Sequence, residues 1–317
     1  MRGVSLLLLL GCASAPAPAP AASSPEGSHA ELLRPVGAPA SIAELDEAIG
    51  RLKDLASRSS EPGPLLLRLA DALHERATAH GRAEALTMEE AFEQRRDSEA
   101  RERAEAEGEV HAAARLRDLS RARQVLEAIE PSSPHYAAAR RTRFWLLAER
   151  RDWEADSLAA ARDIIDGGSE GELRAAAQLR LAEAAFADAR FDDALTHYAA
   201  VLATAGAEPH TRAFASYKRA WVLFDLDRFT EADGAFAECI AIAHDESADQ
   251  TLVREAAKDR LRVHVSLQSP PERVLGVIAE STDDLELRAT LASRYEQQLR
   301  DSGQLTEADA FRGALMH

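Results

Sequence analysis

Gly167-Gly168-Ser169-Glu170-Gly171 satisfies the pattern G-x-S-x-G. In hydrolases that pattern presents a nucleophilic serine, provided a strand enters the turn and a helix leaves it, so that the turn is sharp and strained. Here the segment before it is "AARDIID", a helical stretch whose glycines read as a C-terminal cap. Ser169 is therefore read as a loop residue, not a nucleophile. The ten histidines are scattered and none falls in H-E-x-x-H. His74 and His80 are six residues apart and point from different faces of a helix, so they do not make a metal pair. No G-x-x-x-x-G-K-[ST] phosphate loop occurs. Cys239 falls at a small-residue core position, where a thiol is expected to be buried and inert. The chain is read as a non-enzyme with no catalytic residue, metal or cofactor.

The aromatic residues carry more. Phe214, Tyr217, Trp221 and Phe224 stand at i, i+3, i+7 and i+10, which places them on one narrow face of a helix. Ala213, Ser216, Ala220 and Leu223 form a second face, expected to meet the helix's own hairpin partner. Trp145 precedes Trp153 by eight residues, as Trp221 precedes Phe229, and Phe186 precedes Phe191 by five, as Phe224 precedes Phe229. This register predicts a partner-binding groove that includes Trp145, Phe186, Phe214, Tyr217, Trp221 and Phe224. Aromatic side chains in a groove are the usual anchors of a bound peptide or helix. The alternative is that the rings pack between adjacent hairpins or against the C-terminal helix of the same chain.

Positioning those rings falls to a repeated element. Trp153, Phe191 and Phe229 are each 38 residues apart, and each opens a short amphipathic helix after a helix ending in a tight turn. Extended outward, the series of anchors is Leu119, Trp153, Phe191, Phe229, Pro271 and Leu305. Three residues past an anchor stands a small side chain, Ala122, Ala194, Ala232 or Ala308, with Asp156 and Val274 as departures. Seven past it stands a larger apolar one, Leu126, Tyr198 or Phe236. A large side chain on one helix needs a small one opposite, which explains the order. A period in this range marks a solenoid of helical hairpins. The segments "AAAQLRLAEAAFADARFDDALTHYAAVL" and "AFASYKRAWVLFDLDRFTEADGAFAECI" resemble the tetratricopeptide repeat, with Leu181-Ala182 matching its apolar-then-small motif. The resemblance implies an all-α fold, a right-handed α–α superhelix whose first helices line a concave groove. It further implies a surface for other proteins.

Before the repeats, Ser41-Ile42-Ala43-Glu44 reads as a capping box. Ile42, Leu45, Ile49, Leu52 and Leu55 then give one apolar stripe, and "SSEPGP" ends that helix. Leu65 to His80 is expected to form a second helix, burying Leu66, Leu69, Ala70 and Leu73. Residues 82–117 are mostly Glu, Arg, Ala, Asp and Gln, a composition open to two readings, a protruding charged helix or a partly disordered insert, with Gly108 as a candidate break.

The chain opens "MRGVSLLLLLGCASAPAPAP". Arg2, the short apolar run Val4 to Leu10 and the ending Leu9-Leu10-Gly11-Cys12 resemble the bacterial lipobox. The resemblance implies cleavage before Cys12, acylation of that cysteine and, with Ala13 rather than aspartate following, the periplasmic face of the outer membrane. Residues 13–40 hold six of the thirteen prolines and no apolar period. They are read as a tether reaching on the order of 80 Å. The expected organisation is a signal peptide over 1–11, lipidated Cys12 and tether over 12–40, N-terminal helices over 41–118, and repeats over 119–317.

The 317 residues carry 38 Lys and Arg against 54 Asp and Glu, a formal charge of −16. That argues against a nucleic-acid partner, which requires a basic patch. Membrane contact is expected through the lipid anchor alone, and the partners are expected to be other envelope proteins. The chain thus resembles the tetratricopeptide lipoproteins of envelope machines and of gliding motility, which implies a non-enzymatic scaffold. A structural spacer with a self-filled groove, or an accessory subunit of an envelope hydrolase, are the rival readings.

Overall fold

A computed structural model describes residues 40–94, 96–148, 154–244 and 249–316. Cys12, the signal peptide, nearly all of the tether and Trp153 lie outside them. Within the described residues the chain is all helix and loop: α1 (Ile42–Arg58), α2 (Gly63–Glu93), α3 (Ser98–Glu127), α4 (Tyr136–Ala148), α5 (Glu154–Asp166), α6 (Gly171–Ala187), α7 (Phe191–Leu202), α8 (Pro209–Asp225), α9 (Phe229–Ile242), α10 (Gln250–Ser266), α11 (Pro271–Ser281), α12 (Leu285–Asp301) and α13 (Leu305–Leu315). Each helix packs on the next in sequence. The even-numbered helices from α2 to α12 also touch one another in order, which makes a helical-hairpin solenoid with first helices in one layer.

The repeat register is the basis of this packing. Phe191, Phe229, Pro271 and Leu305 are the first residues of α7, α9, α11 and α13. Ala122, Ala194, Ala232, Val274 and Ala308, three residues past their anchors, are all fully enclosed. Leu126, Tyr198 and Phe236, seven past, are buried beside them. Asp156 breaks the pattern because it does another job: its carboxylate accepts from Arg123 Nη1 at 2.5 Å and ties α5 to α3. Leu119 opens no helix. It lies within α3, so the first repeat borrows the far end of a longer helix, and the expected boundary at 118/119 falls inside one element.

The turns inside the hairpins repeat as well. After α6, α8, α10 and α12, one residue swings into the left-handed region: Ala189 (φ 57°), Asp227 (φ 58°), Gln268 (φ 49°) and Gly303 (φ 79°). Each lets the following amide reach back to a carbonyl of the last turn, as Arg190 N does to Ala185 O at 2.8 Å. Three of the four carry a Cβ that this conformation disfavours by about 1–2 kcal/mol. Ala189→Gly removes that strain and restores some freedom to the unfolded chain. It is expected to raise stability by about 0.5–1 kcal/mol in denaturant titrations.

At the N-terminal end the capping box is formed. Glu44 N donates to Ser41 Oγ at 3.3 Å and Ser41 N to Glu44 Oε2 at 2.8 Å. Leu45, Ile49 and Leu52 are buried, while Leu55 is exposed. The second helix does not stop at His80 but runs to Glu93, and α3 returns antiparallel to it. Residues 82–117 therefore form the outer part of a helical hairpin rather than a single charged helix. Its inner seam is built from Thr87, Ala91, Ala104 and Gly108, all small and buried. Gly108 breaks nothing: a Cβ there would stand 2.9 Å from Thr87 Oγ1, so the glycine permits the close approach of α3 to α2.

Candidate functional site

Phe186 on α6 and Phe214, Trp221 and Phe224 on α8 are half-buried, along the layer of first helices. Lys218 stands between the two helices, its Nζ 6.0 Å from the Phe186 ring and 5.3 Å from that of Phe214. These are cation–π distances. His210 stacks on Phe214 with centroids 6.5 Å apart, and the Arg262 guanidinium of α10 lies 5.7 Å from the Trp221 ring. The exposed edges of these rings are thus fringed by cations from α8 and α10. Trp145 on α4 is the most open of the predicted set, at 43% exposure, with its ring edge-on to Phe144 at 5.0 Å.

Tyr217 does not line the groove. It is 4% exposed, its ring packs against Phe236 of α9 at 5.7 Å, and its hydroxyl donates to Asp259 Oδ2 of α10 at 2.7 Å. At 100° per residue it stands about 60° round α8 from Phe214, toward the Ala213–Ala220 face that meets α9. Burial, with Asp259 beside it, pushes the phenol well above its ordinary value, and burial raises the Asp259 carboxyl too. Trp221 is intermediate between the two situations. Its ring is edge-on to both Phe236 (5.9 Å) and Phe224 (5.6 Å). Phe224 in turn packs on Phe229 at 5.3 Å. Trp221→Ala is therefore expected to lower stability by about 2–3 kcal/mol, below the roughly 3–5 of a fully enclosed ring. Phe214→Ala, whose half-buried ring lies at the edge of the core between His210 and Lys218, should cost less, about 1–2 kcal/mol. Thermal melts of the two variants side by side check the order.

The chemically suggestive residues are placed in structural roles. Ser169 lies in the turn between α5 and α6, after a helix rather than a strand, with Gly168 at φ 72° and Ser169 N bonded to Ile164 O. Cys239 is fully enclosed, and burial pushes its thiol up to about 12, far from the thiolate that reacts. His74 and His80 both stand on α2, and His80 pairs with His111 of α3 instead. Among the described residues no group of three or more His, Cys, Asp and Glu could hold a metal ion.

One constellation escaped the sequence reading. Ser269 Oγ lies 2.7 Å from His264 Nδ1, and His264 Nε2 lies 3.0 Å from Asp233 Oδ1. These are the residue types of a hydrolytic triad. The imidazole, however, is 2% exposed, and Arg260 Nε takes the same carboxylate oxygen at 2.5 Å. Arg260 also reaches Glu280 of α11 at 3.2 Å. The group is a polar joint between α9, α10 and α11. Burial alone would raise the Asp233 carboxyl. Its bonds to His264 and Arg260 outweigh that and hold it far below the usual carboxylate range. Nothing in the sequence spacing marks it, because its members come from three helices.

No family model matches the chain, and no curated protein matches it. Among solved structures the chain is similar to one described as "Crystal Structure of Rap Protein Complexed with Competence and Sporulation Factor", with 13% identity and a TM-score of 0.40 over 86% of this chain and 97% of that one. At that level the likeness carries no argument about what the chain binds.

Proposed function

We propose that this chain is a non-enzymatic protein-binding scaffold, held to the periplasmic face of a bacterial outer membrane by acylated Cys12. The observation that carries the binding half is the row of half-buried rings on adjacent first helices, Phe186 and Phe214, with Lys218 between them. Rings with one buried edge and a cationic fringe suit an extended or helical segment with apolar and acidic side chains. The anchoring half rests on the Leu-Leu-Gly-Cys motif. No helix of the described residues is long and apolar enough to cross a membrane, and in this reading the acyl chains on Cys12 make the attachment.

Two measurements test it. Mass spectrometry of the mature N-terminus should find a triacylated Cys12, and an unmodified terminus at Ser14 or beyond removes the anchor. A photo-crosslinking residue at Phe214 or Phe186 should give one discrete adduct with another envelope protein in cells. The same residue at exposed Ala199 on α7 should give none. The spacer reading is favoured by Tyr217 and Trp221, whose rings are turned into the joint with α9. Absence of any adduct from both groove positions would leave it in place.

A further inference from the structure

The outer part of the α2–α3 hairpin has a stability problem. Below it, Leu69, Leu73, Leu119 and Leu126 give a core of large side chains. Among the described residues beyond His80 and His111, the buried seam holds only Thr87, Ala91, Ala104 and Gly108. Such small side chains remove little apolar area from water, so the outer seam contributes little of its own. At the junction of the two zones His80 Nδ1 faces His111 Nδ1 at 2.9 Å, with ring centroids 5.2 Å apart.

A 2.9 Å contact between two ring nitrogens needs one donor and one acceptor. It forms when at least one imidazole is neutral, and it is lost when both are charged, because two N–H groups then face each other. The surrounding charges do not rescue the doubly protonated pair. Asp118 of α3 and Asp46 of α1 both bond to Arg76 of α2. Glu84 of α2 lies 3.7 Å from Arg115 of α3. Arg76 thus answers two carboxylates, and the surplus negative charge favours one protonated imidazole in the pair, while a second proton still sets two N–H groups face to face.

We infer that His80 and His111 form a proton-operated latch, which closes the outer hairpin at neutral pH and releases it under mild acid. Burial and the neighbouring His111 both lower the affinity of His80 for a proton in the closed hairpin. The sign follows. The opened hairpin binds more protons than the closed one, so closure is favoured above the ordinary histidine value near 6.5 and lost as pH falls through and below it.

Amide hydrogen exchange of the full-length protein in detergent, at pH 7.5 and 5.5 and corrected for intrinsic exchange, tests this. Protection over 82–94 and 98–110 is expected to fall severalfold at pH 5.5, about tenfold being the most that one histidine of ordinary value can supply, while protection over α6 and α7 holds. In His111→Gln, where burial of His80 persists but its charged neighbour is gone, the pH dependence over the outer hairpin should shrink, and in the double variant His80→Gln/His111→Gln it should vanish. An unchanged wild type, or the same fall in His111→Gln, overturns the latch. Should that variant lose the hairpin at both pH values, the wild-type ring titration followed by NMR decides. Two steps separated by more than one pH unit support a coupled pair, and two independent titrations near the ordinary value overturn it.

Discussion

Ala194→Arg should lower the unfolding free energy by roughly 4 kcal/mol or more, a loss read as a fall in the denaturant midpoint. Ala194 is fully enclosed three residues into α7, where that helix meets α6 beside Tyr198 and Ala182. An arginine there has neither volume nor a carboxylate, and a buried charge without a partner belongs to the short list of changes with effects above 4 kcal/mol. Ala199→Arg, on the exposed side of the same helix, should stay within about 0.5 kcal/mol of wild type. A small effect at 194 would mean that the register of the small and large positions is wrong. Because a solenoid is stabilised by nearest-neighbour interfaces, the loss should also concentrate in α6–α8, leaving α12 and α13 protected in hydrogen exchange.

The same register shows which parts of the fold the sequence makes legible. Period carries across hairpins, so Phe191, Phe229, Pro271 and Leu305 mark helix starts without any knowledge of long-range contacts. Ala122, Ala194, Ala232 and Ala308 follow from the geometry of close helix approach. Where periodicity stops, so does legibility. Gly108 reads as a break because glycine lowers helix propensity, yet its lack of a Cβ is what lets α3 close on Thr87. The end of α2 was hidden for a related reason: charged residues fix helix but not where the chain reverses. For the aromatic face, spacing brings Phe214, Tyr217, Trp221 and Phe224 to one side of α8. Whether a ring faces solvent depends on α9 and α10, whose Phe236 and Asp259 claim Tyr217. Polar pairs across helices, His80 with His111 and Asp233 with Arg260, have sequence separations of 31 and 27 that match no repeat, and only the packed structure joins them.

The joint around Asp233 has the other large expected effect. Asp233→Ala should cost about 3–5 kcal/mol near neutral pH, because it strands a guanidinium whose side chain is 5% exposed. Glu280 remains beside Arg260, but it is half in solvent and holds only one nitrogen. His264 loses its carboxylate as well and keeps Ser269 alone. The pH dependence separates this account from simple cavity formation. Asp233 is held far below the ordinary aspartate value, so the folded state binds fewer protons than the unfolded one. Its contribution is complete above roughly pH 5 and declines as pH falls through the unfolded aspartate value near 4 and beyond. The stability gap between wild type and Asp233→Ala should therefore narrow steadily from pH 5 to pH 3, whereas a cavity would leave it constant. Arg260→Met, made in the Asp233→Ala background, should recover part of the loss by removing the stranded charge. A double mutant less stable than Asp233→Ala alone would show that the guanidinium is held by packing and by Glu280, not by the carboxylate it faces.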